Sequence, residues 1–290
     1  MADAVQQPFA CAIVGGPGSG KSLLGRNLQR RFPALCHISG GDVARLATSE
    51  AVFEASPLLK SINRQLSDSR RRKPAMRRLL DVVTETIAEG ARGPECRGRA
   101  GLIVDGLRAA DFDRLERALG GPVACVLVID CSRETMLARL GDRESREGDA
   151  RLGLAENSVV GALDGAGDKL ETARRVDAYL SRQDADNLAL TGGGKRAVHH
   201  VDGEMPAEAC LQASEDALRA ALAPGFAAAL AAAVGAPAPA PDWASVLRRT
   251  LRRLDDRLHP DGRPRAAPVA PDAPDARCTT GPRATDAPAG

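Results

Sequence analysis

Eight residues near the start of the chain have the types and the spacing that hold phosphate groups. They are Gly15, Gly16, Pro17, Gly18, Ser19, Gly20, Lys21 and Ser22, and they match the pattern Gly-x-x-x-x-Gly-Lys-Ser/Thr in full. Glycines let successive backbone N–H groups turn inward around an anion. In this pattern the lysine binds the β- and γ-phosphates of a nucleoside triphosphate, and the hydroxyl of Ser22 reaches Mg²⁺. The segment therefore predicts a site for ATP and Mg²⁺.

The segments on either side of this loop read as a buried strand and a helix. Residues 9–14 are all apolar, and residues 21–32 carry apolar side chains at helical spacing. A helix that begins at Lys21 points the positive end of its dipole at the same phosphates. Kinases, switch GTPases and motor ATPases all use such a loop, so the choice between these classes rests on other residues.

Apolar segments alternate with helical patterns as far as residue 222, which is typical of a parallel α/β fold. The predicted strands are residues 9–14, 34–39, 101–105, 123–130 and 197–201. The predicted helices are residues 21–32, 75–89, 111–119, 133–142, 156–181 and 206–222. Residues 123–129 form an unbroken apolar run, which indicates a strand buried on both faces. We therefore predict an α/β P-loop three-layer sandwich with a five-stranded parallel sheet.

The composition changes near residue 224, after which alanine and proline dominate. Such a stretch buries too little apolar surface to offset its ordering entropy, so we interpret it as a linker. Within it, residues 242–258 carry apolar side chains at helical spacing opposite a row of arginines, and Asp242 has the right type for an N-cap. This predicts a domain at 1–223 and a tail at 224–290 with one short helix. That helix either docks on the domain or meets a partner or membrane surface.

The overall composition narrows the classes of partner. The 290 residues include 40 Lys and Arg against 38 Asp and Glu, a net charge of +2, which argues against bulk attraction to nucleic acid or an anionic membrane. Aromatic residues make up 2%, too few for base-stacking platforms. Scattered cysteines, no apolar run of about 20 residues and no room for a signal peptide favour a soluble, cytoplasmic protein. We expect a monomer that binds neither nucleic acid nor membrane.

Several segments resemble the nucleoside monophosphate kinases, the family of adenylate kinase and UMP/CMP kinase, and residues 130–143 are similar to its strand-to-lid segment. The amino-acid sequence of the loop at residues 15–21 is characteristic of that family. Residues 37–45, His-Ile-Ser-Gly-Gly-Asp-Val-Ala-Arg, are similar to its His-(Leu/Ile)-Ser-Thr-Gly-Asp-Leu-Leu-Arg segment. Residues 102–108 are similar to its apolar strand that ends in Asp-Gly-Phe/Tyr-Pro-Arg. The resemblance spans about residues 9–222.

This resemblance implies an acceptor site within a helical insertion at about residues 43–78. Ser39, Arg45 and Arg108 would bind the nucleoside monophosphate, with both arginines on its phosphate. Gly40 stands where the family has the threonine that contacts the acceptor base, and the family's proline before Arg108 is absent. These departures leave the identity of the acceptor base open.

A carboxylate stands at the end of a buried strand beside the loop. This placement suits Asp105 to hold Mg²⁺ through water, and the alternative is a turn residue before Gly106. The histidines show no ligand spacing, and we interpret all of them as structural or surface residues: His37, His199, His200 and His259.

The resemblance also implies a short lid at about residues 143–156 and a set of arginines around the donor nucleotide. Arg139 would lie over the adenine of ATP, and Arg143 would bind its phosphates. Arg151 would stabilise the phosphoryl group in transfer, with Arg146 as the rival for that role.

The reaction implied by the family is ATP + NMP ⇌ ADP + NDP with Mg²⁺. AMP is the first choice of acceptor because adenylate kinases are the commonest members, while UMP/CMP kinase activity and a small-molecule hydroxyl acceptor stay open. Asp164 occupies the place of the family's last catalytic arginine, so a catalytically weakened regulatory module is a further alternative. The basic segment 60–78 has three open interpretations: it is a solvated surface, it alters recognition of the acceptor, or it contacts a polyanion.

Overall fold

The centre of the molecule is a parallel five-stranded sheet. The computed structural model describes residues 9–49, 52, 55–94, 96, 99–147, 169–191, 196–221 and 242–258. The strands are β1 (Phe9–Gly15), β2 (Leu35–Ser39), β3 (Gly101–Asp105), β4 (Val123–Asp130) and β5 (Ala197–Asp202). They lie in the order β2-β3-β1-β4-β5. All five predicted strands are confirmed, and with them the predicted α/β class with a five-stranded parallel sheet.

Helices cover both faces of this sheet. They are α1 (Lys21–Arg31), α2 (Gly40–Ala47), α3 (Pro57–Ser67), α4 (Arg72–Arg92), α5 (Phe112–Leu119), α6 (Arg133–Glu147), α7 (Lys169–Thr191), α8 (Ala207–Ala221) and α9 (Trp243–Leu258). Apolar residues of α1 and α8 pack on one face, and those of α2 to α5 and α9 pack on the other. Every residue of β3 is buried, as both-face coverage requires.

Three helices extend beyond their predicted ends: α4, α7 and also α6, which runs to Glu147 rather than residue 142. Helix α4 begins at Arg72 rather than residue 75, because Pro74 falls in the first turn, where the missing N–H has no helical acceptor to lose. Helix α7 continues to Thr191 rather than residue 181, because residues 182–191 contain no glycine or proline that would end it. Residues 156–168 of the predicted helix lie outside the described part of the chain.

Between β2 and β3, where the helical insertion is expected, the chain forms α2, α3 and α4, although the sequence does not resolve the two short helices. Serine hydroxyls cap both of them. The Ser39 hydroxyl accepts from the Asp42 N–H at 3.3 Å, and the Ser56 hydroxyl accepts from the Leu59 N–H at 3.4 Å. Each cap fixes the point at which the chain turns into its helix.

The tail helix α9 docks on α4. Asp242 is its N-cap and accepts from the backbone N–H groups of Ala244 at 3.1 Å and Ser245 at 3.2 Å. Val246 and Leu247 are fully buried. Of the two roles that its sequence leaves open, the structure therefore shows docking on the domain. None of the described helices is long and apolar enough to cross a membrane.

A glycine and an arginine fix where the tail helix sits. The ring of Trp243 lies on Gly90 of α4, where an added Cβ would be 2.6 Å from the Trp243 Cζ3 atom. The guanidinium of Arg253 pairs with Glu85 at 2.6 Å and with Glu89 at 2.9 Å. The contact between α9 and α4 thus combines apolar packing of the Trp243 ring with ion pairs from Arg253.

Candidate functional site

The candidate site lies at the carboxyl edge of the sheet. The phosphate loop leaves β1 there and runs into α1, and β2 and β3 end beside it. Ser39 and Asp105 are register partners at the ends of these two strands. In open α/β sheets this edge is where ligands bind.

The backbone of the loop requires glycine at two positions. Gly18 has φ 78° and Gly20 has φ 95°, both in the left-handed region that other residues avoid. Gly20 also caps α1 and supplies no side-chain acceptor, and the first turn of α1 has no acidic residue. The leading N–H groups of the helix can therefore bind an anion. The Lys21 ammonium donates to the Gly16 carbonyl at 2.6 Å, which holds its charge at the loop.

Helices α6 and α7 pack directly on the loop. A Cβ at Gly16 would lie 2.9 Å from Cδ1 of Tyr179, and a Cβ at Gly18 would lie 2.5 Å from the carbonyl oxygen of Met136. Burial raises the pKa of Tyr179 to about 12, so its hydroxyl stays neutral at ordinary pH. The loop glycines thus serve close packing as well as backbone geometry, and sequence reasoning did not find Met136.

Asp105 is the most deeply buried carboxylate at this edge, with its side chain 1% exposed. The His37 imidazole donates from Nε2 to Oδ2 of Asp105 at 2.9 Å, and the hydroxyls of Ser39 and Ser22 are close enough to lower the pKa of this carboxyl group as well. Burial on its own would raise the pKa of Asp105, but the interactions with His37 first, and then with Ser39 and Ser22, outweigh it and hold the pKa below its ordinary value. The group is therefore an ionised carboxylate beside Ser22.

The role of His37 is what the sequence interpretation missed. The His37 side chain is 8% exposed, which fits the structural alternative for this residue, and its ring lies over Gly25 of α1, where an added Cβ would be 3.0 Å from the ring Cε1 atom. One signal could have found it. Since side chains two apart on a strand share a face, His37 lies on the same face as Ser39, the register partner of Asp105. His200 pairs with Asp130 at 2.8 Å instead.

The predicted metal residues, Ser22 and Asp105, are brought together. Their hydroxyl and carboxylate oxygens are the hard donors that Mg²⁺ prefers. Among the described residues, no three His, Cys, Asp or Glu side chains gather as a metal cage. That arrangement fits a Mg²⁺ ion, which takes one or two protein oxygens and fills its other positions with water and phosphate.

On the acceptor side, the segments that carry Arg45 and Arg108 are in contact. A Cβ at Gly106 would lie 2.7 Å from the backbone nitrogen of Gly41. The Arg45 guanidinium lies over Gly41 and pairs with Asp42. Arg108 is exposed at the end of the neighbouring loop. Two arginines of the predicted acceptor set thus follow adjacent strands at the edge that also holds the phosphate loop.

On the donor side, Arg139 ties the phosphate loop to the turn after β5. Its guanidinium donates to the Gly203 carbonyl at 2.7 Å and to the Ser19 carbonyl at 3.5 Å. Beside it lies an open pocket of about 330 Å³ lined by Asp130, Cys131, Ser132, Gln183, Asp202 and Glu204. The sequence interpretation identified Arg139 but not the turn that it contacts.

Five positions from the sequence interpretation lie outside what the structure describes, and one of them is His259. Arg143 and Arg146 belong to α6, but their side chains are outside the described set. The lid residue Arg151 and the departure at Asp164 lie in the segment 148–168, which is also outside it. The lid and its arginines therefore stay predictions.

Comparison with known families agrees with the loop and the sheet. The AAA domain model matches residues 12–164, which is more than half of the 290 residues. The chain belongs to the AAA domain family. This AAA domain is a P-loop NTPase, a broader assignment than adenylate kinase.

Solved structures and curated proteins add little to this family assignment. The chain is 17% identical to a sugar kinase from Janibacter sp. HTCC2649, with 76% of this chain and 98% of that chain covered and a TM-score of 0.43. It is 15% identical to a gluconokinase from Sinorhizobium meliloti 1021, with 89% and 99% covered and a TM-score of 0.39. At these scores neither likeness bears on function. No curated protein matches the chain.

Proposed function

We propose that this AAA-domain chain transfers the γ-phosphoryl group of ATP to a nucleoside monophosphate, with AMP as the first candidate acceptor. One observation carries the proposal. The phosphate loop, the Ser22–Asp105 pair and the two arginine-bearing segments all meet at one edge of the sheet. Such an edge can hold a triphosphate and a second phosphate side by side.

The donor half of the site would bind ATP through main-chain amides and Lys21. Ser22 and Asp105 would hold Mg²⁺, which neutralises charge on the β- and γ-phosphates when bound. Arg139, fixed between Ser19 and Gly203, supports this half because it keeps a cation beside the loop.

The acceptor half would bind a phosphate rather than a neutral hydroxyl compound. Arg45 and Arg108 supply two guanidinium groups, whose paired N–H donors match a phosphate well. Asp42 already pairs with Arg45, so an acceptor phosphate would share or replace this partner. These two arginines, together with the resemblance in residues 37–45, support a nucleoside monophosphate over a sugar.

Catalysis would come from positioning and charge, with no covalent intermediate and no dedicated general base. The two substrates would be held in line, and cations would stabilise the equatorial oxygens of the transferring group. We assign this second task to Lys21, Arg143 and Arg151. Closure of a lid at about residues 143–156 would exclude water and so limit hydrolysis of ATP.

A nucleotide-binding module that transfers no phosphoryl group is the second candidate. Asp164 favours it, because a carboxylate at the place of a catalytic arginine opposes the negative charge of the transition state.

A substrate panel tests both candidates. Purified protein is incubated with MgATP and, separately, AMP, CMP, UMP, GMP and gluconate, and ADP and phosphorylated products are quantified by chromatography. We expect an NDP product, with AMP the best acceptor. Faster turnover of CMP or UMP would overturn AMP as first choice. Phosphorylated gluconate with no phosphorylation of any of the four monophosphates would reject the monophosphate acceptor. ATP binding with no product from any acceptor would favour the second candidate.

A further inference from the structure

One surface of the insertion is strongly basic. Helices α3 and α4 pack against each other, and residues 60–78, which cover most of α3, the joining turn and the start of α4, contain six arginines and two lysines. We call these the α3–α4 basic surface: Lys60, Arg64, Arg70, Arg71, Arg72, Lys73, Arg77 and Arg78. All eight are exposed. The buried side chains of the pair, such as Leu66 and Leu79, face inward.

Most of this charge has no counter-ion within the described residues. The one carboxylate between residues 60 and 78 is Asp68, which pairs with Arg71 at 3.6 Å. No described carboxylate lies within ion-pair distance of Arg64, Arg70, Lys73, Arg77 or Arg78. Arginines on other faces do have such partners, for example Arg196 with Glu116 at 2.9 Å.

The start of helix α4 adds positive charge at the same place. Its N-cap is Arg71, which supplies no side-chain acceptor, and its first turn contains no acidic residue. Arg72 and Lys73 therefore lie at the positive end of the helix dipole, where cations are unfavourable. A bound anion would relieve this repulsion and could also accept hydrogen bonds from the helix N–H groups.

The size and composition of the surface select the kind of anion. A nucleoside monophosphate carries about two negative charges and would leave most of the cations unmatched. Residues 57–78 contain no aromatic side chain that could stack on an unpaired base. The exposed large apolar residues of the described chain are Leu23, Leu170 and Leu188, so nothing on this surface could insert into a membrane.

We propose that the α3–α4 basic surface binds the phosphate backbone of a double-stranded nucleic acid without reading its bases. Arginine predominates, and its planar guanidinium binds phosphate through two parallel hydrogen bonds. A duplex presents closely spaced phosphates that match a set of exposed cations. The near-zero net charge predicted no nucleic-acid partner, but a whole-chain sum does not register a local excess. This inference is independent of the proposed phosphoryl transfer.

The test compares two variants of the full chain with equal loss of charge. Arg70→Gln/Lys73→Gln/Arg77→Gln alters the basic surface, and Arg30→Gln/Arg182→Gln/Arg248→Gln removes three exposed arginines elsewhere. Binding of a fluorescent 20-base-pair duplex is measured by anisotropy from 50 to 200 mM salt. Single-stranded RNA and anionic phosphatidylserine vesicles are measured in parallel, and circular dichroism verifies folding.

Wild-type protein should bind the duplex with an affinity that falls steeply with salt. The surface variant should bind the duplex at least about tenfold more weakly than wild type. The slope of log binding constant against log salt concentration should become shallower by about 2 to 3, since each phosphate contact contributes about 0.9 to that slope. The control variant should lose less than half of that slope. Failure of wild-type protein to bind the duplex at 50 mM salt, equal loss in both variants, or tighter binding to single strands or vesicles would each overturn the proposal.

Discussion

The His37 imidazole holds Asp105 in place through a hydrogen bond of 2.9 Å between two buried side chains. The contact joins the middle of β2 to the end of β3, next to the loop that carries Ser22. Through it, a residue outside the phosphate loop sets the orientation of the carboxylate that we assign to Mg²⁺.

Replacement of His37 should weaken the binding of Mg²⁺ at the site. In His37→Phe the carboxylate loses its strongest hydrogen-bond donor, and outer partners of this kind are worth about 10- to 100-fold in metal affinity. We expect the Mg²⁺ concentration that gives half-maximal ATP binding to rise by about tenfold. His200→Phe is the control, because that ring pairs with Asp130 at the sheet's other side. Equal Mg²⁺ dependence in wild type and His37→Phe would contradict this role.

The free energy of unfolding that Asp105 contributes should decrease as the pH is lowered. Its pKa is lower in the folded chain than its ordinary value of 3.8, so the unfolded chain takes up a proton first as the pH falls. The contribution is therefore present above about pH 4 and is lost as the pH falls through the folded pKa. Asp105→Asn should be less stable than wild type at pH 7, and urea unfolding should show this gap narrowing towards pH 3. A gap that widens at low pH would refute the assignment.

The docking of the tail helix can be followed through Trp243, the only tryptophan in the chain. A valine at Gly90 would clash with its ring, whereas Gly141 has nothing within 4 Å of an added Cβ. We expect Gly90→Val to shift the tryptophan emission to longer wavelength and to cost about 1–3 kcal/mol of unfolding free energy. Gly141→Val serves as the matched control and should leave the emission unchanged. Identical spectra for the two variants would show that the ring does not sit on Gly90.

Arg45 should matter for the acceptor and not for ATP. Arg45→Ala removes one of the two guanidinium groups proposed for the acceptor phosphate, so we expect the KM for AMP to rise by about tenfold or more while the KM for ATP stays within about twofold. Arg117→Ala, on the exposed side of α5, is the control. Steady-state kinetics with each substrate varied in turn give both constants. An equal rise in both would place Arg45 outside the acceptor half.

The sequence was most informative where local patterns determine the structure. Unbroken apolar runs such as residues 123–129 predicted the strands, and the loop at residues 15–22 predicted its own strand–helix context. Asp242 and the apolar spacing behind it predicted α9. In each case the signal lies within a few turns or one strand of the residues concerned.

The contacts that sequence reasoning missed join distant segments. The hydrogen bond between His37 and Asp105 depends on how β2 and β3 are aligned, and the bond from Arg139 to Gly203 depends on β5 lying beside β4. The packing of the Trp243 ring depends on Gly90, and nothing in the sequence of α4 marks this glycine as a contact residue. Such pairings require the three-dimensional arrangement of the elements, which spacing along the chain does not give.

Transfer of label from ATP to AMP would show whether the chain catalyses the proposed phosphoryl transfer. Wild-type protein and Lys21→Met are incubated with ATP labelled at the γ-phosphate, Mg²⁺ and AMP, and the products are separated. We expect label at the β-phosphate of newly formed ADP. The rate at which labelled ADP forms should be about 10²-fold or more lower in Lys21→Met than in wild type. Label that stays in ATP, or appears only as inorganic phosphate, would contradict it.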